Sequence, residues 1–328
     1  MKPVILDQNE VQFRAGPWSG PTFSIEDEDE DNILADLVQS LDGSRTVDRL
    51  LEEFAAHEGA VTGLLTELYE QNIVVEAGSV EREQVGWNVF RSQMNDQTFD
   101  EQASQAEVLV LSDRGVGKHV LNDLQNAGIG RIGVSSLNRE ETTATTNEAV
   151  EQYQDPYDGL AAFDNAVCVA GDGATSELQA INERAHANDT SVVFGCVVGY
   201  DGVIGPTVVP GQTACYDCFE QRTKERISAD DTYEQFKNQL ATRRSESVAS
   251  AFARVVSGYI TLEAIHLLID ESPLLFDKIV TVDFTDFTFE PNAVLKVPNC
   301  ETCKPEVHQQ TDWQRFASEL RFGSRGSE

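Results

Sequence analysis

The run Glu107-Val108-Leu109-Val110-Leu111-Ser112-Asp113-Arg114-Gly115-Val116-Gly117-Lys118-His119-Val120 decides the fold. Its four aliphatic residues read as a buried parallel strand, and residues 112–117 as a tight turn. Residues 120–127 carry the apolar spacing of a helix that Gly128 ends, and Arg131-Ile132-Gly133-Val134 is a second strand. This is a βαβ unit. Two more apolar runs, Ala166-Val167-Cys168-Val169-Ala170 and Val192-Val193-Phe194-Gly195-Cys196, flank a helix around 178–187. The pattern predicts an α/β domain with a doubly wound, Rossmann-like sheet.

The first turn tests for nucleotide binding, because a phosphate cradle needs glycines where backbone approaches pyrophosphate at a helix N-terminus. As a P-loop it fails: Ser112 replaces the first glycine and His119 the magnesium-binding hydroxyl after Lys118. As G-x-G-x-x-G from Gly115 it places Val120 at the third glycine. The second strand ends in Val134-Ser135-Ser136, with no acid for a ribose.

The most specific motif is a pair of C-x-x-C sequences, Cys215-Tyr216-Asp217-Cys218 and Cys300-Glu301-Thr302-Cys303. Each can offer two thiolates to one face of a tetrahedral ion, and four sulfurs fill the coordination of zinc, so a structural zinc site without an open position is expected. A thioredoxin-like redox pair and two unrelated thiol pairs are the other readings. Cys168 and Cys196 lie in apolar strands and read as core residues.

Upstream, Val11-Gln12-Phe13-Arg14 and Thr22-Phe23-Ser24-Ile25 are short β-runs punctuated by Gly16-Pro17 and Gly20-Pro21. Three helical stripes follow: Ile33, Leu34, Leu37, Val38 and Leu41, ended by Asp42-Gly43; Val47, Leu50, Leu51 and Phe54, capped by Thr46; and Val61, Leu64, Leu65 and Leu68. Ile73-Val74-Val75 reads as a final strand, or wing. The expected organisation is a small winged-helix domain over 1–80, a polar linker over 81–106 with Trp87 and Phe90 anchoring one docked helix, the α/β domain over 107–312, and a tail over 313–328 that ends in disorder.

The chain has 328 residues, with 56 Asp and Glu against 24 Lys and Arg, a formal charge of -32. Such a surface repels phosphate backbones, and the third helix carries Glu67 and Glu70 but no base, so nucleic acid is not an expected partner. The acids run along the whole chain, which fits solubility in a very salty, halophilic cytoplasm as well as an ordinary acidic protein. No continuous apolar run reaches the ~18 residues of a membrane span, and the start lacks a signal core, so a cytoplasmic location is expected. The apolar helix containing Ala251, Val255, Val256, Tyr259, Leu262, Ile265 and Leu268 either packs on the sheet or forms a subunit interface in a homo-oligomer. His266 reads as a helix residue beside the core. H-E-x-x-H, G-x-S-x-G and kinase signatures are absent.

Residues 1–80, with Leu41-Asp42-Gly43-Ser44-Arg45-Thr46-Val47 joining the first two helices, resemble the peptide-recognition domain of ribosomal-peptide biosynthesis, the RiPP recognition element. The resemblance implies that a precursor's leader peptide adds as a strand to the edge Phe23-Ser24-Ile25, in a groove formed with the helix over 61–69. Leu65, Leu68 and Tyr69 would line that groove, although the two leucines also fit a core.

Residues 107–310 resemble the E1/ThiF/MoeB activating-enzyme superfamily, in which the first strand leads into G-x-G-G-x-G. In that register Ser112 and Arg114 replace the first two glycines, Gly115 and Gly117 remain, Asp172 matches an acid that helps hold magnesium, and Leu137-Asn138-Arg139 is a faint counterpart of S-N-L-x-R. The order of strand, glycine-bearing hairpin and C-x-x-C over 194–218 is also shared. A recognition element fused to a degenerate ThiF-like domain resembles the leader-binding partner of azoline-forming cyclodehydratases. That implies a non-catalytic scaffold presenting precursors of thiazole/oxazole-modified peptides to a YcaO-type enzyme that holds the ATP, with no ATP on this chain. The alternatives are an adenylyltransferase acting on a peptide or carrier-protein C-terminus, and a redox module using the cysteine pairs.

Overall fold

The computed structural model describes residues 2–14, 16–17, 22–27, 31–70, 73–77, 99–113, 116–137, 150–171, 175–227, 233, 235, 248–270 and 273–303. The anchors Trp87 and Phe90, the loop residues Arg114, Gly115 and Asp172, the residues Asn138 and Arg139, and the chain beyond 303 lie outside them. The chain divides into two compact units, Met1–Ser104 with Asn126–Gly128, and Gln105–Gln125 with Ile129–Glu328.

In the first unit β1 (Lys2–Ile5), β2 (Glu10–Arg14) and β3 (Thr22–Glu26) form an antiparallel sheet in the order β1-β2-β3. Strand alternation puts Val11 and Phe13 on one face, with Phe23 and Ile25 of β3 beside them through the pairs Val11↔Ile25 and Phe13↔Phe23. Against that face pack Leu34 and Val38 of α1 (Leu34–Ser40) and Leu64 and Leu68 of α3 (Glu58–Glu70). Gly43 adopts φ +82° just beyond α1, a left-handed turn that glycine takes without a steric penalty. The Thr46 hydroxyl accepts the Arg49 amide at 3.4 Å and caps α2 (Val47–Glu53), as its sequence position predicts. The expected wing strand at 73–75 does not form. The amides of Ile73 and Val74 instead donate to the Leu68 carbonyl at 2.9 and 3.2 Å, closing the end of α3, and both side chains join the core below the sheet. A short helix, α4 (Phe99–Gln105), follows.

The second unit is built on an eight-stranded sheet in the order β11-β10-β9-β8-β7-β4-β5-β6. Strands β4 (Glu107–Ser112), β5 (Arg131–Ser136), β6 (Val150–Tyr153), β7 (Asn165–Ala170) and β8 (Ser191–Val198) are mutually parallel. β9 (Asp201–Val208), β10 (Lys278–Asp283) and β11 (Thr288–Ala293) extend the sheet antiparallel. All four sequence-predicted strands are present, and the α/β class holds. Alternation along β8 shows helices on both faces. Phe194 faces a core with Leu178 and Ile181 of α7 (Thr175–Asn188) and Tyr216 of α8 (Tyr216–Ile227), whereas the next residue, Gly195, faces α9 (Ser250–Ile265). A Cβ on Gly195 would stand 2.0 Å from Ile260 Cδ1, so α9 rests directly on the strand where the β8–β9 register shifts. Between β4 and β5 runs α5 (Gly117–Asn126), and α6 (Pro156–Leu160) follows β6.

The apolar helix thus packs on the sheet. With its π-helical continuation His266–Asp270 it gives a run, Ser250–Ile269, long and apolar enough by length and composition to cross a membrane, but 50% of that run is buried against β8, β9 and β7 as a core helix. Its single acid turns inward. Glu263 is 2% exposed and accepts the Thr207 hydroxyl at 2.5 Å and the amides of Leu274 and Leu275 at 2.9 Å each. Three donors satisfy this buried carboxylate, and they fasten the segment leading into β10 to the helix. Glu263→Ala orphans all three and should cost about 3 kcal/mol of second-unit stability. Glu263→Gln, which keeps a carbonyl acceptor, should cost less. Chemical denaturation followed by circular dichroism checks both, and a loss below about 1 kcal/mol for the alanine variant would refute the anchoring role.

Candidate metal centre, strand-end crevice and open edge

The two C-x-x-C pairs meet. After β9 the Thr213 hydroxyl accepts the Val209 amide at 2.8 Å, and the Ala214 amide donates to Asp277 Oδ1 at 2.7 Å, which sets Cys215 immediately before α8. Cys218 sits in the first turn of that helix. Cys300 and Cys303 lie on a turn beyond β11, where the Cys300 amide donates to the Val297 carbonyl at 3.1 Å. The Sγ atoms are 3.7 Å apart for Cys215–Cys218, 3.5 Å for Cys215–Cys300 and 3.4 Å for Cys218–Cys303. All four lie within 4.8 Å of one another and all four residues are buried. Tetrahedral thiolate coordination at about 2.3 Å places sulfurs roughly 3.8 Å apart, so this donor set fits a metal ion with no open position.

Four buried thiolates without a cation would repel one another. Among the free thiols, Cys218 is held down to about 5 by the bond from Cys215 and by the Val297 amide, which donates to its sulfur at 3.2 Å. Its bond to Cys218 and its burial push Cys215 up, and burial pushes Cys303 up to about 12. A bound cation would stabilise the thiolate form of all four sulfurs.

The intervening residues brace the junction. Asp217 Oδ2 accepts the Thr302 hydroxyl of the other pair and the Asn182 amide from α7 at 3.2 Å. Asn182 in turn accepts the Tyr216 amide at 3.1 Å. Tyr216 is buried with its ring 4.9 Å from Phe194 and 5.6 Å from Phe219. Sequence reasoning did not single out Asn182, Asp217 or Thr302. The position of Asp217 and Thr302 inside the motifs was the available signal, and Asn182 gave none.

The crevice lies where strand order reverses, between β4 and β7. Ser112 ends β4 and is buried, and a Cβ on Gly117 would stand 1.9 Å from its Oγ. The absence of a side chain at Gly117 lets α5 close onto the strand, and the Ser112 side chain fills the space between them. Asp113 Oδ2 accepts the Gly171 amide at 3.0 Å and ties the ends of β4 and β7 together. β5 ends in the buried pair Ser135 and Ser136. At the start of α5, burial and then the nearby charges of Lys118 and Arg254 hold His119 below its ordinary value.

In the first unit β3 is a sheet edge. Ser24 is exposed and accepts Gln12 Nε2 at 3.3 Å, while Phe23 and Ile25 are half-buried on the helix side. Leu65 is half-buried and Tyr69 is 56% exposed. Leu68 is fully buried in the core and so lies beneath the surface rather than on it.

Fold and site together define a doubly wound α/β protein with a four-cysteine centre and a small sheet-and-helix unit in front. The ThiF family model matches residues 134–303, and the chain belongs to the ThiF family. Over 255 residues, 66% of this chain and 89% of the relative, it is 22% identical to a sulfur carrier protein adenylyltransferase of Thermus thermophilus. Among solved structures it is similar to the heterocyclase TruD, with a TM-score of 0.62 and 18% identity over 93% of this chain and 42% of that one. It is also similar to MccB of E. coli, with a TM-score of 0.56 and 16% identity over 92% and 96%. The chain spans less than half of the TruD chain's length, and at these identities the likeness is one of fold.

Asp217→Ala removes the brace but none of the sulfurs. It should weaken metal retention about 10- to 100-fold, whereas Cys218→Ser should abolish retention. Competition with a chelator, read by elemental analysis, checks both. An Asp217→Ala variant that holds metal as tightly as the wild type would show that the brace does not tune the site.

Proposed function

We propose that this chain is a non-catalytic scaffold that binds the leader of a ribosomally made precursor peptide and presents it to a YcaO-type, ATP-dependent cyclodehydratase for azoline formation. The observation that carries this reading is the span of the likeness to TruD, which takes in 93% of the chain, the small first unit together with the ThiF unit. The open edge supports it. Of the two outer strands of the first sheet, β1 carries Lys2 and Pro3, residues that blunt an edge, whereas β3 reads Thr22-Phe23-Ser24-Ile25-Glu26 with neither. A leader laid along β3 gains main-chain hydrogen bonds, with Leu65 and Tyr69 lining the groove and Phe23 and Ile25 as the apolar floor.

In this reading the four cysteines hold a structural zinc whose chemistry is that of a Lewis acid kept out of reach by four protein ligands. Ser112 fills the space a nucleotide loop would leave open, Arg114 stands where a glycine would be, and Asp172 is a remnant, so the partner enzyme supplies the ATP. The acidic surface belongs to a protein working in a salty cytoplasm.

Titration of the full chain with the leader of a co-encoded precursor tests the reading, in multimolar salt where surface charge is screened. Alternate amides of an edge strand point outward, so one of Ser24→Pro and Ile25→Pro deletes a free donor while the other disturbs pairing with β2. The variant that keeps its far-UV signature and metal should lose leader affinity tenfold or more. A wild-type chain with no affinity for the leader would sink the assignment.

A second reading, an ATP-dependent adenylyltransferase acting on a peptide or carrier-protein C-terminus, is favoured by the match to the sulfur carrier protein adenylyltransferase and by the two bases beside α5. Carboxylate-dependent pyrophosphate exchange by the chain alone would support it, and its absence supports the scaffold.

A further inference from the structure

The charges along the open edge of β3 select among peptides. The register of the first sheet sets Glu10 directly opposite Glu26. Both stand on the outer face, since their neighbours Val11 and Ile25 turn inward, and like charges in that relation repel. Among the described residues neither carboxylate has an ion-pair partner. Arg14 lies at the far end of the same pairing, opposite Thr22. α3, packed on the opposite face of the sheet, carries Glu58, Glu67 and Glu70 and no Lys or Arg. Beside Glu10 on the β1 side stands exposed, uncharged Leu6, whereas beyond Glu26 among the described residues no strand pairs with β3.

We propose that the segment added to β3 is a cationic amphipathic strand, with Lys or Arg beside Glu26 and apolar side chains beside Ile25 and Phe23. This rests on the leader-site reading and gives it a sequence rule. In a strand paired with β3 the residue beside Glu26 points to the outer face and meets Glu26 directly, with Glu10 one strand further off, so a base there offsets their negative charge and an acid adds to it. The residues beside Ile25 and Phe23 point to the helix face and continue the apolar floor. The recognised pattern is a base, an apolar residue, any residue, and a second apolar residue, read in either chain direction according to whether the strand adds parallel or antiparallel.

The test uses the full chain and two fluorescent synthetic peptides that alternate Val with Thr and differ only in Lys or Glu at the position next to the first Val. Anisotropy titrations are run from the lowest salt at which the chain keeps its far-UV signature up to about 3 M KCl. At the low end the Lys peptide should bind at least roughly threefold tighter than the Glu peptide, and the gap should close as salt screens the contact. In the Glu26→Lys variant, an exposed change, the preference should invert. Equal affinities, or a preference unchanged in Glu26→Lys, would overturn the charge rule and leave the leader site standing. No binding of either peptide at any salt would overturn the charge rule, and the leader titration decides the leader site separately.

Discussion

Four sulfurs within 4.8 Å of one another, buried and drawn from two segments 85 residues apart, are the constraint on which the second unit depends. Bringing them together concentrates titratable groups where water cannot screen them, an arrangement that is favourable when a cation neutralises them. The chain between the two pairs contains most of α8 and all of α9, β10 and β11, so the junction closes a loop that carries two of the three antiparallel strands. Asp217, Thr302 and Asn182 convert the meeting of two turns into a fixed geometry, because each hydrogen bond joins elements that have no neighbouring residues in sequence.

The opposite face of the sheet is organised by a different device. α9 approaches closely because Gly195 offers no side chain to Ile260, and Glu263 then fastens the following segment through two amides and a hydroxyl. A carboxylate in an apolar helix would be costly without those donors, and with them it fixes where β10 begins. One face is thus tied by sulfur and the other by a satisfied buried charge. The parallel half between them, with Ser112 packed under Gly117, is left as a compact scaffold.

The first unit faces a different problem. Its sheet has three strands, and each outer strand has a row of backbone groups beyond its one partner. On β1 Pro3 removes a donor and Lys2 adds a charge; β3 has no proline and ends in Glu26 opposite Glu10, a couple without an ion-pair partner among the described residues. Among the described residues no strand pairs with that edge, the condition in which a sheet edge is open to pairing with another strand.

Residue pattern alone located four strands of the parallel sheet and the four cysteines that meet. Apolar runs at 108–111, 131–134, 166–170 and 192–196 appear as β4, β5, β7 and β8 because a parallel strand covered on both faces must be continuously apolar, and two C-x-x-C motifs carry their geometry within four residues. Tertiary structure alone decided what depends on pairing between distant segments. The run at 73–75 has strand composition, yet its amides are taken by the end of α3; Leu68 belongs to the core because the sheet lies over it; Glu263 is an anchor because Leu274 and Leu275 return to it. The opposition of Glu10 and Glu26 follows from register, which strand composition does not encode. Local period reports which side of an element is apolar, whereas partners, register and the donors that satisfy a buried acid are set by contacts across the fold.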